Sequence, residues 1–315
     1  MTKPTILVAT WGDGLFAITG DGRTQEIANQ CVRGLAPDGR GGALAIVGRH
    51  SLRRRAPSGE WATVATSEFE LSCCMAVRDD IYVGTDDARM LRLGHAAGVL
   101  DPIDGFHNIA GRDTWFAGSA LVDGQRLGPP LGIRSVAANS SGSILFANVH
   151  VGGIPRSMDG GRTWQPTIDI NSDVHEVRAH QADPDIVVAA SAIGLCISHD
   201  AGATWTIERD GLHAPYCSAV AFSGDDILVS ASTDHFATQG RIYRRPVRPG
   251  GDIVAVENGL PTWINGIADT GCIATNDSTV VLVDRGGTLY LSTEFGLAWS
   301  RISSGLPTPS SVLIC

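Results

Sequence analysis

Four histidines carry the most chemistry that the chain offers. They are His150 in Asn148-Val-His-Val-Gly-Gly153, His175 in Asp173-Val-His-Glu176, His213 in Gly211-Leu-His-Ala-Pro-Tyr-Cys217 and His235 in Ser232-Thr-Asp-His-Phe236. Neutral imidazole is the commonest side-chain ligand for transition metals, and three or four converging rings would hold a divalent zinc, iron, copper or manganese ion. Asp173, Glu176 and Asp234 stand beside them in sequence. A carboxylate there can orient an imidazole, complete the coordination or act as general base. Cys217 is a further sulfur donor in principle, but a cysteine next to a strand interior behaves as a small core residue. Arg112, in Arg112-Asp-Thr-Trp115, brings a guanidinium suited to clamping a carboxylate or phosphate. No local motif such as His-Glu-x-x-His binds these residues into one site, so tertiary structure must gather them.

The elements able to do so are short strands. With 38 glycines, 15 prolines and few helical patterns in 315 residues, the chain favours many tight turns between strands. One eight-residue pattern recurs: Ser157-Met-Asp-Gly-Gly-Arg-Thr-Trp164, Ser198-His-Asp-Ala-Gly-Ala-Thr-Trp205 and, more loosely, Ser292-Thr-Glu-Phe-Gly-Leu-Ala-Trp299. Its Asp can accept bonds from the N–H groups of its own turn, its Gly permits a conformation that a β-carbon penalises, and its Trp opens the next strand with a large ring to bury. Strands expected at the inner edge of successive sheets begin near residues 30, 71, 133, 174, 216, 264 and 310. Apart from one long step, the spacing is roughly 40–48 residues, the size of a propeller blade.

The repeated pattern resembles the Asp-box, or BNR, repeat of sialidase-like β-propellers. The resemblance is firmest over residues 133–301 and implies an all-β, single-domain propeller over 1–315 with four-stranded blades. Seven blades are expected if the stretch between 71 and 133, with Leu127-Gly-Pro-Pro130, is a loop; eight if it hides a degenerate blade. Thr5–Thr10, Leu15–Thr19 and Thr24–Ala28 read as strands with no inner partner before them. The apolar Ser311-Val-Leu-Ile-Cys315 is expected to join them, closing the ring and removing open sheet edges.

In that family the boxes occupy the turn between third and fourth strands, and the working site lies on the opposite face. This rule sends His150, His175, His213 and His235 to one mouth, with His180 and His199 on the far face as structural residues. It also sends there Trp11, Asp86, Tyr216, Trp263 and Asp269. The expected function is a metal-dependent enzyme acting on a small molecule, with hydrolase or lyase chemistry ahead of oxygenase chemistry. Asp173, Glu176, Asp234, Arg112 and Tyr216 are its candidate catalytic groups. The alternatives are a non-catalytic propeller binding a ligand or glycan, and a metal-free sialidase-like glycosidase. Sialidases imply an arginine triad and a Tyr–Glu pair; Tyr216 and Glu176 could imitate the pair, but no three mouth-facing arginines can be assembled.

A net charge of −9 argues against nucleic acid or an anionic membrane as partner. Arg53-Arg54-Arg55 is expected to be a solvated strand edge. Seven cysteines without C-x-x-C spacing, and an N-terminus without an apolar signal core, point to a reducing, cytoplasmic setting.

Overall fold

In the computed structural model the described residues are 4–20, 22–94, 98–115, 121–122, 125–126 and 132–315; Leu127-Gly-Pro-Pro130 lies outside them. Second strands such as Ala43–Val47, Leu145–Val149 and Val187–Ser191 are buried at every residue. A continuous apolar run of this kind packs on both faces, so each sheet is sandwiched between two others. Outer strands such as Gly22–Ala28 are mostly exposed.

Seven antiparallel blade sheets result among the described residues, each built on four strands, one with a short fifth strand. Their inner strands, Pro309–Ile314, Val32–Pro37, Leu71–Val77, Ile133–Ala138, Val174–Ala179, Tyr216–Ser223 and Ile273–Asn276, contact one another in a closed ring. We number the blades 1 to 7 in that order. The last strand of the chain is the inner strand of blade 1, pairing Ile314 with Ile6 and Val312 with Val8. Among its described residues the stretch between blades 3 and 4 adds no blade. Its described parts are a helical turn at Asp104–His107, a 3-10 turn at Arg112–Thr114 and a small hairpin.

Two expectations need correction. The strand at Ile264–Asn265 is not the inner strand of blade 7; it pairs with Gln239 and Gly240 and completes the outer edge of blade 6. The residues that follow are spent crossing towards the axis, so the regular inner strand starts only at Ile273. Arg55 is not a solvated edge residue: Glu26 of blade 1 receives its Nε at 2.8 Å, its Nη2 at 2.6 Å and the Trp61 indole N–H at 2.8 Å.

Bulges decide which side chains face the axis. In blades 3 to 6 the inner strand carries one extra residue at an equivalent level, namely Ser72, Arg134, His175 and Ser218. A bulged residue leaves the ladder and its side chain is re-aimed. The residue after the bulge stitches blades together. Ser135 Oγ accepts the Val177 N–H at 2.9 Å, and Glu176 Oε2 accepts the Val220 N–H at 2.9 Å. Ser311 Oγ does the same for Leu35 at 3.2 Å.

Candidate metal centre at the propeller mouth

A cavity of about 660 Å³ opens at the axis, lined by inner-strand starts and by loops between second and third strands. The three repeated Trp-closed turns join third to fourth strands, on the opposite face. Within the cavity wall, His150, Asp173 and His175 each bring a donor atom within 4.8 Å of the other two.

Each is held by backbone of unusual form. His150 ends the second strand of blade 4 and precedes Val151, whose φ of 48° is strained for a β-branched residue. The turn is clamped by Val149 and Gly153, whose N–H···O bond is 3.0 Å. Asp173 has φ 49° and caps the 3-10 turn Ile170–Ser172. Left-handed conformations at such residues cost about 1–3 kcal/mol and gather at functional sites. His175 is the bulged residue of blade 5. Its Nδ1 lies 2.6 Å from the Cys217 carbonyl, while its own carbonyl accepts the Thr270 hydroxyl at 3.0 Å.

A carbonyl only accepts, so Nδ1 of His175 carries a proton, and in the neutral ring Nε2 presents a lone pair. That lone pair faces Asp173 Oδ1 at 3.7 Å, and Nε2 is buried without a hydrogen-bond partner. Asp173 Oδ1 is likewise unpartnered: its 2.7 Å approach to His150 Nε2 has the length of a hydrogen bond but not the alignment. Buried polar atoms are rarely left this way. Donors at about 2.0–2.2 Å from a tetrahedral ion stand roughly 3–3.5 Å apart, and the separations of 2.7 and 3.7 Å bracket that value. Two imidazole nitrogens and one carboxylate oxygen suit zinc, iron, manganese or copper and leave positions open.

Electrostatics favour the ligating states. Burial pushes the His150 pKa down, against the pull of Asp173, which keeps the ring neutral. Burial pushes the Tyr216 phenol up to about 12, so it stays a neutral donor with its ring 4.6 Å from that of His175.

The other expected site residues are distributed differently. His235 and Asp234 line the cavity. The His235 carbonyl accepts from Arg285, while Asp234 Oδ1 takes the Phe236 N–H at 2.7 Å and shapes the loop. His213 does not join the cluster; its Nδ1 is 2.8 Å from the Tyr243 hydroxyl and its ring sits edge-on to Trp263. Arg112 is not at the mouth but stacks on Trp115 at 4.8 Å. Cys217 is fully buried and acts through its carbonyl. Glu176 is fully buried too, accepting from Val220, from Gly271 at 3.1 Å and from Arg178.

Three arginines do line the cavity, contrary to expectation, but each has its own carboxylate. Arg33 meets Asp86 at 2.8 Å, Arg134 meets Asp269 at 3.0 Å, and Arg178 meets Glu176. Sequence reasoning missed Arg134, because only the bulge turns it towards the axis.

The fold defines a seven-bladed β-propeller, and comparison with known proteins supports that class. No family model and no curated protein matches the chain. Among solved structures it is similar to YCF48 from Cyanidioschyzon merolae, with TM-score 0.57 and 16% identity over 88% of this chain and 87% of that one. It is also similar to the WD40 β-propeller domain of Doa1, with TM-score 0.62 and 12% identity over 99% and 90%. A structure of YCF48 bound to D1 peptide matches with TM-score 0.53 and 14% identity over 86% and 81%. At these identities the likeness concerns the fold alone.

Proposed function

We propose that this propeller is a metal-dependent enzyme acting on a small molecule, with His150, Asp173 and His175 as protein ligands. The observation that carries this reading is the buried His175 Nε2 lone pair facing the unpartnered Asp173 Oδ1 at 3.7 Å. Two acceptors in that position repel unless a cation stands between them. A bound divalent ion would polarise a substrate oxygen or lower the pKa of a bound water. The chain's own residues supply the rest. The Cys217 carbonyl fixes the His175 tautomer, Tyr216 offers a neutral hydroxyl, and Asp234 adds a further carboxylate to the cavity lining. Glu176 serves the scaffold, since buried N–H groups and Arg178 occupy its oxygens. An ionised lining with proton-transfer groups favours hydrolytic or lyase chemistry over oxygenation.

The repeated turns support kinship with Asp-box propellers of the sialidase type, and seven unpaired cysteines support a reducing compartment such as the cytoplasm. A second reading, a non-catalytic propeller holding a peptide in the same mouth, is favoured by the exposed Phe236 and Trp11 on the cavity rim and by the peptide-bound YCF48 neighbour.

Elemental analysis of untagged protein separates these. Near-stoichiometric metal in the wild type, lost in His175→Ala and kept in His213→Ala, is the expected result. Protein that takes up no ion after incubation with zinc, iron(II), manganese or copper would remove the metalloenzyme reading and leave the binding module.

A further inference from the structure

Arg134 is placed to recognise a substrate beside this centre. It leaves blade 4 at the bulge, where Ile133 pairs with Val149 and Ser135 with Asn148, so it projects from the strand next to the one that ends in His150. Neighbouring strands are about 5 Å apart, and the two side chains enter the cavity side by side. The charge of Arg134 is felt at His150, Tyr216 and His235. One of its five N–H donors meets Asp269 Oδ1 at 3.0 Å, across the axis on blade 7. Arg285 approaches the other oxygen of Asp269 at 3.7 Å, so the notch already accommodates a carboxylate between two guanidinium groups. Arg134 lines the cavity with its side chain 24% exposed.

Charge limits what can enter. Five carboxylates and three guanidinium groups line the cavity, and Arg285 adds a fourth guanidinium through Asp269; with a divalent ion the balance is one positive charge. A small anion of one charge fits that balance, whereas a polyphosphate would meet uncompensated repulsion.

We propose that the mouth binds a small carboxylic acid bearing an oxo or hydroxyl oxygen on the adjacent carbon, its carboxylate on Arg134 and its second oxygen at the His150–Asp173–His175 centre. Because Arg134 and His150 come from neighbouring strands, a ligand that spans them is short and carries its two groups close together. A planar guanidinium fork matches a carboxylate with two parallel bonds. The inference rests on the metal reading above for the second oxygen and on Arg134 alone for the carboxylate.

The test is calorimetric titration of Mn²⁺-loaded protein with pyruvate and lactate, against pyruvamide and lactamide. The acids are expected to bind at least about tenfold more tightly than the amides, because the amides lack the charge that Arg134 recognises. Arg134→Gln should remove that preference while leaving Mn²⁺ uptake unchanged, and Arg134→Lys should restore only part of it. Equal binding of acid and amide, or unchanged acid binding in Arg134→Gln, would overturn the proposal. The amide comparison needs no variant, so it stands even if Arg134→Gln does not fold. If the wild type retains no Mn²⁺, the metal reading falls separately. The acids are then titrated into metal-free protein, where loss of any Arg134-dependent binding overturns the carboxylate site as well.

Discussion

Glu176 illustrates how a residue with catalytic potential becomes part of the frame. It stands where blade 4 has Ser135 and blade 1 has Ser311, each giving an oxygen to a backbone N–H of the next inner strand. The carboxylate does the same for Val220 and then reaches Gly271 on blade 7. Burial raises its pKa, opposed by Arg178 and these N–H groups. Glu176→Ala would leave both N–H groups buried without an acceptor and should cost about 2–4 kcal/mol, measured as a shift of the urea midpoint; Glu176→Gln, which keeps an acceptor, should cost less. A general base would show the reverse emphasis, with stability preserved and activity lost. At this scale the sequence was informative about type but not about role. His150, His175 and Asp173 meet, whereas His213 turns to Tyr243 and Trp263. Nothing in the local sequence separates these histidines, and only the direction of the side chain decides which of them meet.

The repeated turns are legible because their chemistry is local. In the first, Asp159 Oδ1 accepts the Ser157 hydroxyl at 2.8 Å and the Thr163 N–H at 2.9 Å, and the Trp164 indole bonds the Gly161 carbonyl at 2.9 Å. The second repeats this with Ser198, Asp200 and Thr204. The Thr163 and Thr204 bonds hold the Asp159 and Asp200 carboxyls at about 2. Since these folded values lie below the unfolded value near 4, their stabilisation is complete above about pH 4. It is lost as the pH falls through 2. Carboxyl NMR titration should place both groups near 2, and Asp159→Asn should flatten the acid limb of the stability curve in that window. Blade 6 shows where element reading failed. Its outer edge resumes at Ile264–Asn265 after an excursion, so an apolar segment with the right spacing belongs to a different blade from the one expected.

At the scale of the molecule, the ring depends on a strand contributed by the far end of the chain. Pro309–Ile314 is buried throughout and is bonded to Thr5–Thr10 on one side of its sheet. It also touches blade 2 through the Ser310 hydroxyl and the Val32 carbonyl. Deleting residues 309–315 would expose the edge of Thr5–Thr10 and open the apolar faces of blades 1, 2 and 7. The expected outcome is a melting temperature lowered by more than about 10 °C, or no cooperative transition, together with self-association in light scattering. Cooperative melting near the wild-type temperature would show that closure contributes little.

By itself the sequence determined most of the strands and the repeated turns, because these follow from contacts within a few residues or from the period of apolar positions; closure by the last strand was legible because the first strands lack an inner partner. It also supplied the histidines and carboxylates of the candidate centre. Tertiary structure alone decided which of them converge. A bulge shifts one residue out of the ladder and turns Arg134 and His175 to the axis. A carbonyl from the next blade sets the His175 tautomer, and blade 7 crosses the mouth to meet Arg134 and Glu176. These are contacts between distant segments. Strand periodicity is blind to them, because one extra residue reverses which face every later side chain occupies.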